Sequence, residues 1–325
     1  MAEPIKLIAA PAPLPSPARK RPPRRALFRI AAVQERWHPD PAEHTEALAA
    51  GVRRAAAEGA ELVCLQELTL SRYFAVDPGG PRAAGVEPEE LPGGPTYRFA
   101  AELARETGVH VHASLYERAP GSDGLGYNTA IVVAPEGRLL GRTRKLHIPV
   151  TAGYHEDRYF LPGPGPDGGA NDPFAIVGLG PAHLGLPTCW DQWFPEVARA
   201  YSLEGADVLV YPTAIGSEPE HPDFDTQPLW EQVIVGNAIA NGVFMVAVNR
   251  IGVEPPLRFY GCSFICDPYG RKLVQAPRDE PAVLLADLDL DQRHDWLELF
   301  PFLTTRRPDA YARLAEGAAE LMNEG

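Results

Sequence analysis

Gly185-Leu186-Pro187-Thr188-Cys189-Trp190-Asp191-Gln192-Trp193-Phe194-Pro195-Glu196 is an apolar run that ends at a cysteine and passes into a helix pattern opened by Pro195. A thiol at a strand end that faces a helix N-terminus sits in a positive field, which favours the nucleophilic thiolate. Two other segments are built alike. Glu67 closes the apolar run Leu62-Val63-Cys64-Leu65, and Lys145 follows Arg138–Arg144 and opens Lys145-Leu146-His147-Ile148-Pro149. A carboxylate, an ammonium and a thiol thus each end a strand-like segment. Acyl transfer from an amide needs these three groups, as proton shuttle, oxyanion stabiliser and nucleophile.

Outward from these points the pattern is regular from Leu27 onward. Strands are predicted over 28–33, 61–66, 109–116, 174–178, 183–188, 208–211, 244–248 and 282–288. Hairpins are predicted over 128–144, turning at Pro135-Glu136-Gly137, and over 259–275, turning at Asp267-Pro268-Tyr269-Gly270. Asp40 and Pro41 open a helix that Gly59 ends, and further helices span 96–107, 195–204 and 227–241. Mixed β-α-β units and antiparallel hairpins argue for a layered α/β sandwich rather than a doubly wound sheet. Residues 1–26, dense in Pro, Ala and Arg, read as a disordered tail with a basic cluster at Arg19, Lys20, Arg21, Arg24 and Arg25. Residues 27–325 read as one domain.

The chain has 325 residues and a net charge of −13, which argues against a nucleic-acid or anionic-membrane partner. No stretch reaches the ~20 apolar residues of a membrane span, and the N-terminus lacks a signal peptide's order of basic and apolar regions. Cys64, Cys189, Cys262 and Cys266 do not form a disulfide framework, so reduced thiols in the cytoplasm are expected.

Each candidate also has a plainer reading. Cys189 could be a buried structural thiol, but Trp190-Asp191-Gln192 ends the apolar run at the sulfur, and the turn can aim backbone N–H groups at an oxyanion. Glu67 could be solvated, but Tyr73 and Phe74 follow it, and an acid walled by aromatic rings can exchange protons near neutrality. Lys145 could lie on the surface, but it sits between a strand and Pro149. His110, His112, His147 and His155 lack zinc spacing, and 163–169 does not precede a helix as a phosphate loop would. No metal is expected.

The set Glu67, Lys145 and Cys189 resembles the Glu-Lys-Cys triad of the nitrilase superfamily, the carbon–nitrogen hydrolases. The resemblance runs from about Leu27 to Leu314. Cys189–Glu196, Tyr211–Pro219, Asn249-Arg250-Ile251-Gly252 and Arg306-Arg307-Pro308-Asp309 resemble the N-carbamoylputrescine amidase group within it. The resemblance implies a four-layer α-β-β-α sandwich, no cofactor, and a homodimer or higher homo-oligomer. It implies that Cys189 attacks a carbamoyl carbon, Glu67 shuttles protons, and Lys145 with the Trp190 backbone N–H holds the oxyanion. Glu156, just before Tyr159-Phe160, matches a second glutamate that positions substrate and the Lys145 ammonium. The product set would be putrescine, carbon dioxide and ammonia, in polyamine biosynthesis.

Gln192 and Trp193 stand where some relatives carry carboxylate-binding arginines, so an amine-bearing substrate is expected, with Tyr73, Asp191, Ala214 and Glu218 as substrate contacts. Asp191 capping a helix and Glu218 in solvent are the competing readings. The alternative substrate carries a carboxylate, as for a β-ureidopropionase or ω-amidase, and would need Arg250 or Arg72 in the pocket. The alternative of another class is a catalytically silent binding or scaffold protein. Pro187 lacks a ladder N–H, so the strand before Cys189 is expected to accommodate it locally with a bulge, which bears on the fine position of Cys189 and not on its role. Asn237 and Ile239 replace a His and a Gly of close relatives, which would alter substrate choice if they line the pocket.

Overall fold

The computed structural model describes residues 5–121, 124–151, 153–165 and 172–315. One sheet contains β1 (Lys6–Ala9), β2 (Phe28–Gln34), β3 (Leu62–Cys64), β4 (His110–Arg118), β5 (Gly126–Val133) and β6 (Leu139–Arg144). A second contains β7 (Val177–Leu179), β8 (Ala182–Gly185), β9 (Val208–Pro212) and β10 (Phe244–Val248). After a separate hairpin, β11 (Ile251–Glu254) and β12 (Leu257–Tyr260), the chain adds β13 (Phe264–Cys266) and β14 (Lys272–Gln275) to the second sheet. It then returns to the first as β15 (Ala282–Leu288). The spatial orders are β1-β15-β2-β3-β4-β5-β6 and β14-β13-β10-β9-β8-β7.

The helices are α1 (Pro41–Ala57), the single turn α2 (Gly80–Ala83), α3 (Pro95–Thr107), α4 (Pro195–Leu203), α5 (Gln227–Asn241) and α6 (Asp291–Leu299). α1 starts where the Asp40 carboxylate accepts the N–H groups of Ala42 and Glu43, with Pro41 at the first position. α3 stops at Gly108, whose φ of +74° suits glycine. α1 and α3 bury Leu48, Val52 and Leu103 against Val33, Val63 and Val111 of the first sheet. α4 and α5 bury Val197, Tyr201, Trp230 and Ile234 against Leu209, Met245 and Phe264 of the second. Between the sheets, Ile30, Leu62 and Val132 meet Leu184, Val208 and Val246. The layers therefore run α-β-β-α, as expected. No helix among the described residues is long and apolar enough to cross a membrane.

β3 runs parallel to β4, and two antiparallel steps through β5 bring β6 into the same direction. The loops after β3 and β6, which carry Glu67 and Lys145, therefore leave the sheet at one end.

Three expectations are corrected. Of the segment read as a disordered tail, residues 1–4 lie outside the described residues and 5–26 are built into the fold: β1 pairs parallel with β15, Arg19 binds Asp289 and Asp295, and Arg25 binds Asp207 and Asp291. The strand read over 183–188 stops at Gly185, so Pro187 withdraws no donor from a ladder and needs no bulge. The strand read over 259–266 is two strands in different sheets, because the chain turns at Gly261 and Cys262, both at φ +55°.

Candidate active site

Glu67, Lys145, Glu156 and Cys189 converge although they come from four separate loops. Lys145 Nζ lies 3.0 Å from Glu67 Oε1, 2.9 Å from Glu156 Oε1 and 2.7 Å from Glu156 Oε2, and all three side chains are buried. Burial alone would strip the ammonium of its proton, but the two carboxylates outweigh it and hold Lys145 above its ordinary range. Burial pushes the Glu156 carboxyl up, against the pull of Lys145. Asn128 Nδ2 donates to Glu67 Oε1 at 2.7 Å, and Tyr73 Oη donates to Glu156 Oε1 at 2.5 Å. Oε1 of Glu67 thus carries both bonds, and Oε2 makes none to a described residue. One oxygen anchors the carboxylate and the other is left without a partner among the described residues, an arrangement that can accept a proton.

Cys189 opens a 3₁₀ turn over Cys189–Trp193, with φ +36°. That left-handed conformation costs a non-glycine residue about 1–3 kcal/mol and is typical of a side chain presented for chemistry. The turn is held by Asp191, which accepts the Thr188 N–H at 3.1 Å, the His147 N–H at 3.0 Å and His147 Nδ1 at 2.8 Å. Trp230 Nε1 donates to Gln192 Oε1 at 2.8 Å and Asn237 Nδ2 to the Gln192 carbonyl at 3.0 Å. The backbone N–H of Ala214 is directed at the sulfur. Burial and then the Glu67 charge push the thiol well above its usual range, with Lys145 opposing. The expected thiolate in a helix field is therefore corrected. The Cys189 thiol is neutral at rest and would need a base to act as a nucleophile, because α4 begins only at Pro195 and the sulfur is surrounded by apolar groups and carboxylates.

A cavity of about 240 Å³ opens on the sulfur, lined by Tyr73, Tyr154, Glu156, Trp190, Ala214 and Glu218 among others. Burial raises the Glu218 carboxyl above its usual range, and Thr226 Oγ1 lies 3.3 Å from Glu218 Oε1. No arginine, lysine or histidine is among the described residues that line it.

The matching family model, carbon-nitrogen hydrolase, covers residues 29–297. The chain belongs to the carbon–nitrogen hydrolase family. A tomato (Solanum lycopersicum) relative named N-carbamoylputrescine amidase is 39% identical over 297 residues, covering 88% of this chain and 94% of the relative. A citrullinase from Francisella tularensis is 33% identical, covering 88% and 97%. The solved carbon–nitrogen hydrolase from Helicobacter pylori G27 superposes with a TM-score of 0.75 at 32% identity, covering 90% of this chain and 99% of that one. The chain is an amidohydrolase, and the reading as a silent scaffold is set aside.

Within this carbon–nitrogen hydrolase, Tyr73, Ala214 and Glu218 line the cavity, as does Trp190. Asp191 does not. Its buried carboxylate is consumed by N–H groups of Thr188, Leu146 and His147, so its expected substrate contact is corrected to a fastening role. Asn237 likewise fastens the Cys189–Trp193 turn and is not among the residues that line the cavity. Arg250 and Arg72, the arginines that a carboxylate substrate would require, also point elsewhere. Arg250 binds Glu254 and backbone carbonyls, and Arg72 binds Asp77 and the Pro255 carbonyl. Asn128, the partner of Glu67, was not anticipated. The signal available was an asparagine at the head of the apolar strand Thr129–Val133.

Proposed function

We propose that this carbon–nitrogen hydrolase is a cysteine amidohydrolase that cleaves a linear N-carbamoyl amine, with N-carbamoylputrescine as its substrate. The observation that carries the reading is the charge of the cavity. Among the described residues and outside the catalytic cluster, its ionisable carboxylate is Glu218, and no cation lines it to receive a substrate carboxylate. The names of the tomato and Francisella relatives point to the same ureido chemistry.

In this mechanism Glu67 takes the Cys189 proton as sulfur attacks the carbamoyl carbon. The Lys145 ammonium and the Trp190 N–H stabilise the oxyanion. The C–N bond to the diamine breaks, and Glu67 delivers the proton to the leaving nitrogen. Glu67 then takes a proton from water, whose oxygen attacks the carbamoyl thioester. The thiol is restored and carbamic acid falls to carbon dioxide and ammonia. Glu156 keeps Lys145 charged and in place, and Glu218 receives the distal ammonium. The four free cysteines favour a reducing cytoplasm. The exposed Leu203, Leu299 and Phe300 favour a homo-oligomer.

Ammonia release from N-carbamoylputrescine, citrulline and N-carbamoyl-β-alanine, measured side by side with Cys189→Ala as control, tests the reading. Preference for the putrescine compound supports it. Preference for the β-alanine compound, or turnover by the variant, overturns it.

A further inference from the structure

We infer that Arg250, braced by Glu254, is a positioning residue that sets Glu67 and Tyr73 for catalysis from outside the cavity. The inference rests on the reading of Glu67 as the proton shuttle. Arg250 leaves the end of β10 and is fully buried. Its Nη2 donates to the carbonyl oxygens of Glu67, Leu68 and Ser71, each at 2.8 Å. Its Nη1 binds Glu254 Oε1 at 2.7 Å. The other oxygen of Glu254 accepts the Tyr73 N–H at 2.6 Å. One ion pair thus grips both ends of the segment 67–73.

The grip falls where the backbone most needs it. Leu68 has φ +47°, a left-handed conformation that a leucine does not adopt unaided. The carbonyls of Glu67 and Leu68, on either side of the Leu68 nitrogen and α-carbon, both turn to the same guanidinium nitrogen. A lysine could meet these carbonyls from its single nitrogen but could not at the same time hold Glu254 from a second, as the two ends of the guanidinium do. Tyr73 carries the effect onward, because its hydroxyl donates to Glu156, which in turn holds Lys145. The pair therefore reaches both carboxylates that share the ammonium.

The same hairpin also reaches the Glu218 loop. The Ser217 N–H donates to the Arg258 carbonyl at 2.8 Å, and Arg258 N–H donates to Ser217 Oγ at 3.1 Å. Hairpin β11–β12 is thus a bracket between the acids that do chemistry and the acid proposed to read the substrate.

The test compares wild type with Glu254→Gln, Arg250→Lys, Arg250→Gln and Glu67→Gln. It reads hydrolysis of N-carbamoylputrescine and, independently of substrate, the rate of Cys189 alkylation by iodoacetamide. Misplacing a catalytic group by an ångström costs about 10²-fold, so folded Glu254→Gln and Arg250→Gln should lose about that in kcat with KM within about twofold, and Arg250→Lys should recover about tenfold of it. Alkylation should slow in the order that kcat falls, approaching Glu67→Gln. Should Arg250→Gln not fold, Glu254→Gln decides, since it keeps shape and an acceptor for Tyr73. Unchanged kcat and alkylation in folded Glu254→Gln, or a rise confined to KM, overturns the inference. Wild-type kcat and alkylation in Glu67→Gln would instead overturn the proton-shuttle reading.

Discussion

Asp191 holds His147 by two bonds, accepting its backbone N–H at 3.0 Å and its ring Nδ1 at 2.8 Å. The imidazole is also stacked on Phe194, with ring centroids 3.5 Å apart. The turn that carries the nucleophile is thereby joined to the loop that begins at Lys145. The distance between sulfur and ammonium is a property of this joint as much as of either sheet. Asp191→Ala would leave the Thr188 and His147 N–H groups buried without acceptors, at about 3 kcal/mol. Urea unfolding should report that loss. kcat should fall by about 10²-fold at temperatures where the variant is still folded. Wild-type kcat in the folded variant would separate the joint from catalysis.

Two buried histidines predict an acid limit to stability. Burial pulls His44 down to about 4 and His112 down to about 3. Below pH 6.5 the unfolded chain takes up protons that the folded one refuses. Stability is thus fully present above pH 6.5 and is lost as pH falls through these depressed values, with about 3 kcal/mol from His44 alone. The urea midpoint should drop between pH 7 and pH 5, and His112→Leu should flatten that drop. A midpoint that does not change with pH over this interval contradicts the assignment.

Much of this site is legible in the sequence because Glu67, Lys145 and Cys189 each follow a strand-like segment, and strand ends in a layered fold gather at one edge. Glu156 is different. It lies in a short 3₁₀ turn with no periodicity, so only the family resemblance points to it. Arg250 was open to reading as a substrate contact because sequence alone does not tell whether a guanidinium will meet a carboxylate or a set of carbonyls. Asp191 was ambiguous for the same reason. The amino-terminal segment misleads by composition. Its Pro and Arg content suggests solvation, yet its partners Asp207, Asp289, Asp291 and Asp295 lie far along the chain.

Those partners make the amino-terminal segment a structural part. Deleting residues 1–26 would strip the β15 edge of β1 and leave the buried Asp207 without Arg25. The thermal midpoint should fall by at least about 5 °C, with more aggregation and an unchanged kcat per folded molecule. A scan that overlays the full chain would show that the segment contributes nothing.

Glu218 carries the selectivity claim. Glu218→Gln removes a charged acceptor, whose hydrogen bond to an ammonium is worth about 2 kcal/mol, or roughly 30-fold in KM for N-carbamoylputrescine. An N-carbamoyl alkylamine without the second amine should be hydrolysed equally by both proteins. Equal losses on both compounds would mean that Glu218 supports the cavity wall and does not read the substrate.

The most direct test of the account is rapid-quench mass spectrometry of the protein during turnover of N-carbamoylputrescine. The account predicts a transient carbamoyl adduct on the peptide that contains Cys189, formed and lost at rates compatible with kcat. Steady ammonia release with Cys189 unmodified throughout, or sustained by Cys189→Ala, would contradict it.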